Sequence, residues 1–331
     1  MAALSDQLLV FTILGYLIAM ISHAASYAFS GKGAVAAISR PARQLVTVGA
    51  GESGSDAPAA VPPSGSVPPT GDVPARSTGR AAIAARIAMV ATVLATALHL
   101  GALVTRGVAA DRLPWGNMYE FVLTVTFVGA AGWLYLLFRW PSVRQLGLVL
   151  TLVMVLLLGI AGLVLYTPVV PLVPALNSYW FEIHVTTIVF SSGILLLAFV
   201  PAAMYLMRAG YESGKRSFPY VLARRSPSAV TLERLTFGLN AFAFPIFTFA
   251  VIAGAVWAEA AWGRAWGWDP KETWAFISWV VYAGYLHARA TPSVKRNVVA
   301  WISILGFLTM LMNLFGVNFF FTGLHSYAGV N

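Results

Sequence analysis

Eight stretches of the chain are long and apolar enough to cross a bilayer as helices, at about 7–29, 82–105, 117–138, 146–166, 184–207, 236–257, 272–289 and 297–321. No other feature narrows the possible folds as far. In hydrocarbon every backbone N–H and C=O must be satisfied within the protein, which leaves only helices or closed barrels. Nothing here alternates apolar and polar residues as a barrel strand does. The balance of residues agrees, with 59% hydrophobic, 10% charged and a mean hydropathy of +0.76, outside the soluble globular range. The expectation is an all-α polytopic membrane protein of about eight transmembrane helices. No Lys or Arg precedes the first apolar run, so no secretory signal peptide is expected. With no cysteine, the chain carries no disulfide or thiolate ligand of its own.

The connecting segments set the orientation. Lys32, Arg40, Arg43, Arg76, Arg80 and Arg86 follow the first stretch, and Arg139 and Arg144 the third. Arg208, Lys215, Arg216, Arg224, Arg225 and Arg234 follow the fifth, and Arg289, Lys295 and Arg296 the seventh. The opposite side holds only Arg106, Arg112, Arg264 and Lys271 of the chain's 21 basic residues. The positive-inside rule places the crowded side in the cytoplasm and both termini outside. The net charge of +9 is thereby explained by loop asymmetry, and no nucleic-acid partner is expected.

Three regions follow. Residues 1–30 form the first transmembrane helix. Residues 31–80, rich in Gly, Ser, Ala and Pro from Gly49 to Thr78, read as a disordered cytoplasmic linker. Residues 81–331 form a membrane domain of seven helices.

Between the sixth and seventh stretches lies WAEAAWGRAWGWDPKETWAFISW, Trp257 to Trp279. Six of the chain's eleven tryptophans fall in it: Trp257, Trp262, Trp266, Trp268, Trp274 and Trp279. Tryptophan collects where membrane helices meet water, which accounts for one or two of these and not for six. A dense aromatic surface interrupted by small residues suits a large planar apolar ligand. Trp262 and Trp266, four apart, would share a face on any helical turn. Asp269-Pro270-Lys271-Glu272 predicts a helix start, with Asp269 as cap, Pro270 in the first position and Glu272 returning a bond. The run therefore reads as an outward loop, or short surface helix, ahead of the seventh span.

The five histidines separate by depth. His184 opens the fifth span at the outer surface, and His325 follows the eighth in the outward tail NFFFTGLHSYAG. Both share the tryptophan loop's side, and two neutral imidazoles can supply both axial ligands of a haem iron. His287 lies seventeen residues beyond Pro270, roughly 26 Å further along a helix and near the cytoplasmic face. There it could bind haem entering from inside. His23 and His99 read as packing residues. Arg264 could grip a haem propionate with its guanidinium fork, and Lys271 could meet one as a point charge; the plain alternative is solubility of an exposed loop, which for Lys271 explains the residue equally well.

The segments WGRAWGWDPKETW, SYWFEIHV, YLHAR and NLFGVNFFFTGLHSY together resemble the CcsA/ResC family, the haem-handling membrane subunits of the System II cytochrome c synthase. The resemblance rests on Trp262-Gly263-x-x-Trp266-x-Trp268-Asp269, the family's WWD signature, in a loop spanning about 257–274. Arg106 and the run from Pro114 to Glu120 are similar to the family's segment before the third helix. The resemblance implies that His184 and His325 ligate an external haem b and that His287 is a membrane-embedded ligand, its counterpart supplied by a ResB-type partner. It further implies a subunit of a holocytochrome c synthase in the plasma (inner) membrane, active on the extracytoplasmic face. There haem is joined by thioether bonds to the Cys-x-x-Cys-His segment of an apocytochrome c. Two rival readings are a System I tryptophan-rich protein that loads a haem chaperone and a bis-histidine transmembrane electron carrier.

Overall fold

A computed structural model describes residues 1–38, 79–172 and 174–325. Eight long helices make the bundle: α1 (Ala2–Ile38), α2 (Gly79–Ala110), α3 (Met118–Arg139), α4 (Gly147–Leu163), α5 (Tyr179–Glu212), α6 (Ala229–Trp262), α7 (Pro270–Ala290) and α8 (Arg296–Leu311). Among the described residues there is no strand. The first helix runs to Ile38, beyond the expected end at residue 30, and 39–78 of the expected linker lie outside the described residues.

Seven helices, rather than the eight expected, are apolar enough along their length to span, among the described residues. The exception is α7, whose 21 residues would reach about 30 Å at 1.5 Å per residue. Its ends carry Lys271, Glu272, His287 and Arg289, and its inner face buries Ser278, Tyr282 and Tyr285. The helix is long enough to span, and Ser278 on its inner face borders a cavity.

Packing follows residue size. Ala81, Ala88, Ala95 and Ala102 recur every seven residues along α2 and are all buried, so α1 can lie close along its whole length. Small residues are the usual means of close helix approach in lipid, where apolar surface alone gives no preference for helix over lipid tail. Larger side chains fill the centre: Leu123 and Trp133 of α3, Leu150, Met154 and Leu158 of α4, and Leu196 and Leu197 of α5. Polar contacts tie helices across the bundle. Tyr16 and Thr96 meet at 3.1 Å between α1 and α2, and Asn240 Nδ2 donates to Ser303 Oγ at 3.1 Å between α6 and α8.

The last helix does not end simply. After α8 the chain passes through a π turn, Met312–Gly316, and one further helical turn, Val317–Phe320. The segment 321–325 then folds back over the start of α7.

Candidate functional site

The loop between α6 and α7 is built by local rules. Gly263 closes α6 in the left-handed conformation at φ 68°, and its N–H bonds to Glu259 O at 2.9 Å, a conformation open to glycine without strain. Asp269 caps α7 and accepts from Lys271 N–H at 3.1 Å. Glu272 answers, its Oε2 accepting from Asp269 N–H at 3.0 Å and Gly267 N–H at 2.8 Å. This is the capping box expected from the residue order. Arg264 lies 3.6 Å from Glu272 Oε1. Because α6 stops at Trp262, Trp262 and Trp266 do not share a helical face. The turn between them swings Trp266 round, and both rings still border one cavity.

His184 and His325 are each anchored through Nδ1. The Nδ1–H of His184 donates to Ala250 O of α6 at 2.8 Å. A carbonyl only accepts, so the proton of the neutral ring is on Nδ1 and Nε2 carries the lone pair. The ring reaches the α6 backbone because residue 254 is glycine: a Cβ there would sit 2.7 Å from the imidazole. His325 Nδ1 donates to Asp269 Oδ1 at 2.8 Å, while Asp269 Oδ2 takes the N–H of Leu324 at 2.7 Å. With Nδ1 held, His325 would coordinate through Nε2. Metal-binding histidines are commonly oriented by such carboxylate and carbonyl partners. Burial pushes the Asp269 carboxyl up. The hydrogen bond and charge of His325 and the N–H groups of Leu324 and Lys271 outweigh it and hold the carboxyl below its ordinary 3.8.

Trp257 stands against both imidazoles. Its buried ring stacks on His184 (5.8 Å between centroids, 15° between planes) and meets His325 edge-on at 5.8 Å. Trp262 closes on His325 at 5.1 Å and on Trp257 at 4.8 Å. Beside them opens a cavity of about 230 Å³. Walls from α3, α5, α6, α7 and α8 carry it from Trp266 and Lys271 down to Ser192 and Leu196 on α5. Among the described residues no three His, Cys, Asp or Glu side chains cluster as a metal cage. Two imidazoles beside an aromatic wall suit a metal that brings its own planar ligand, as a porphyrin does.

Of the residues expected to act together, His184, His325, Trp262 and Trp266 border this cavity, and Asp269 orients His325 from behind. Trp268 does not border it: 65% exposed, it packs edge-on against Trp266 and Phe276. Arg264 is likewise off the cavity wall, beside Glu272, whereas Lys271 is on it. His287 lies exposed in the last turn of α7, at the far end of that helix from Asp269. His23 and His99 are buried, edge-on to Trp133 and to Tyr16 and Phe127 respectively, in keeping with packing roles. Gly254 and Asn117, both on the cavity wall, escaped the sequence reading. Only Asn117, just before a helical run and three residues ahead of Glu120, carried a local signal.

Fold and site together define a polytopic helical membrane protein with a tryptophan- and imidazole-lined cavity at one end of its bundle. The chain belongs to the CcsA family of cytochrome c biogenesis proteins. The family described as Cytochrome C assembly protein matches residues 115–325, from Trp115 to His325, both of which line the cavity. The chain is 34% identical over 245 residues to the cytochrome c biogenesis protein CcsA of Guillardia theta, covering 69% of this chain and 81% of that one. It is 32% identical over 262 residues to CcsA of Trieres chinensis (71% and 84%) and 31% over 266 residues to CcsA of Oryza sativa (69% and 81%). Membership implies that the chain handles haem in cytochrome c assembly, with an apocytochrome c as substrate.

Proposed function

We propose that the chain carries haem b outward and presents it between His184 and His325 at the extracytoplasmic face of the plasma (inner) membrane. The observation that carries this reading is the pair of Nδ1-anchored imidazoles beside one tryptophan-walled cavity. Trp257, Trp262 and Trp266 supply ring contact and keep water from the iron. Lys271, on the wall, meets a propionate as a point charge. The loop charges support the assignment of faces, with α7 counted as the seventh span.

At this site each thiol of an apocytochrome Cys-x-x-Cys-His segment adds across one haem vinyl group. A C–S bond forms and the thiol proton passes to the other vinyl carbon, so no net oxidation or reduction is required. The apocytochrome histidine then displaces one axial ligand. His325, on a tail pinned by Asp269, is the ligand that yields, while His184 stays fixed within α5. The chain contributes positioning and ligation, which suffices for an addition between bound partners.

The exposure of His287 supports a second, inner haem position completed by a ligand from a ResB-type subunit, making this chain one part of a holocytochrome c synthase. The test is to purify the chain with that subunit and record the haem spectrum and the yield of holocytochrome c. Loss of bis-imidazole absorption and of product in both His184→Ala and His325→Ala is the expected result. An unchanged spectrum in the two variants would overturn the proposal.

A further inference from the structure

Around the start of α3 several buried polar groups lack partners. Glu120, wholly buried, accepts from Arg106 Nε at 2.9 Å, Arg112 Nη1 at 2.6 Å and Gly116 N–H at 2.9 Å. Arg106 Nη2 donates to Thr167 O at 2.5 Å. Three buried donors remain without an acceptor: Arg106 Nη1, Arg112 Nε and Asn117 Nδ2. Asp6 Oδ2, on α1, accepts from Tyr166 Oη at 2.9 Å, and its Oδ1 is likewise buried without a partner. Two guanidinium groups thus share one carboxylate beside the positive end of a 22-residue helix. Leaving such donors unsatisfied is costly, and of the three residues only Asn117 lines the cavity, where a ligand's carboxylate could accept from it.

Asn117 connects this cluster to the cavity. Its Oδ1 accepts from Glu120 N–H at 2.9 Å as the cap of α3, which fixes the amide so that Nδ2 occupies the other edge; the reverse orientation would set N–H against N–H. The side chain is 8% exposed and lines the same cavity as His184 and His325. Of the two cations the sequence offered for a carboxylate, Arg264 is beside Glu272, and Lys271 is on the cavity wall, where it is left for the haem's other propionate.

We propose that Asn117 Nδ2 and the first turn of α3 form the subsite for a propionate carboxylate of the bound haem, with Arg106 and Arg112 supplying positive charge behind it. The inference rests on the haem reading above and adds which wall receives the carboxylate edge. It fixes how the ring lies, since one edge bound at α3 determines where the vinyl groups point.

The test is equilibrium binding of haem and of haem dimethyl ester to the purified full chain, followed by Soret absorption. Wild type, Asn117→Ser and Asn117→Asp are compared, with His184→Ala as the control for ligation. Both Asn117 substitutions keep an oxygen to cap Glu120 N–H; the first removes the second donor and the second puts a carboxylate oxygen in its place. Wild type should prefer the diacid to the ester. That preference should fall roughly tenfold in Asn117→Ser, the usual size of one lost bond to a charged group, and further in Asn117→Asp. Ester affinity should be the same in all three. An acid-to-ester ratio unchanged by either substitution overturns the subsite, as does an equal loss for both porphyrins. Failure of wild type to bind either porphyrin in a His184-dependent way instead overturns the haem reading.

Discussion

Asp269 holds His325 across 56 residues of sequence, with Oδ1 2.8 Å from the imidazole Nδ1. The same carboxylate caps α7 and takes the N–H of Leu324, so one side chain both starts a helix and pins the tail that carries a candidate ligand. Asp269→Ala should free the tail at a cost of about 2 kcal/mol for each charge-assisted bond lost. Faster amide exchange at Leu324 and a weakened bis-imidazole spectrum are expected, with exogenous imidazole restoring part of the spectrum. In the wild type the carboxyl is held below 3.8. Its contribution is therefore complete above that value and disappears as pH falls through the lower folded value. Leu324 protection should persist from neutral pH down to about 4 and be lost below. Loss already near neutrality would show that Asp269 is not the anchor.

Gly254 leaves the space that His184 fills. A Cβ at this position would lie 2.7 Å from the imidazole Cε1 and 2.8 Å from Nδ1. Gly254→Ala should push the ring off Ala250 O, costing about 1–3 kcal/mol in thermal unfolding, and lower haem affinity at least about tenfold. An unaltered haem spectrum in this variant would show that the His184–Ala250 contact does not orient the ligand.

The tryptophans should divide by position. Trp262→Ala and Trp266→Ala remove cavity wall and should each lose roughly tenfold or more in haem affinity, as expected for a large aromatic contact. Trp268→Ala, at a 65% exposed side chain, should stay within about twofold of wild type. Membrane insertion, followed by protein recovered in the membrane fraction, should be the same in all three. Equal haem losses at all three positions would favour a general effect on the loop over ring contact.

His287 tests whether haem passes through two positions in series. His287→Ala should deplete haem at both, because the outer pair is then never supplied. His325→Ala should empty only the outer one and leave haem at the inner. Spectra of each variant purified with its partner, set beside the yield of holocytochrome c, distinguish the cases. Full outer haem in His287→Ala would mean that the outer position fills by another route.

Much of this architecture was legible in the residues alone. Spanning helices announce themselves by length and hydropathy, because lipid forces each segment to satisfy its own backbone. The capping box at Asp269 and Glu272 is equally local, made by side chains three residues apart. The run from Trp257 to Trp279 and the positions of His184 and His325 pointed, by composition and depth, to the residues that border the cavity. Local periodicity failed where a single residue broke it: Gly263, in the left-handed conformation, ends α6 and cancels the helical face expected for Trp262 and Trp266. Hydropathy alone understates α7, which buries Ser278, Tyr282 and Tyr285 on its inner face and is nonetheless long enough to span.

Tertiary structure alone set the partnerships that make a site. That Asp269 reaches His325, that Gly254 admits the ring of His184, and that Trp257 touches both imidazoles depend on how α5, α6, α7 and the tail cross. Those crossings are set by side-chain volumes summed over whole interfaces. The same is true of Arg264, a free cation by its loop position and an ion-pair partner of Glu272 once the loop folds. Sequence determines what a segment can be through interactions a few residues apart. Which segments meet is determined by packing between helices far apart in the chain, and no local pattern records it.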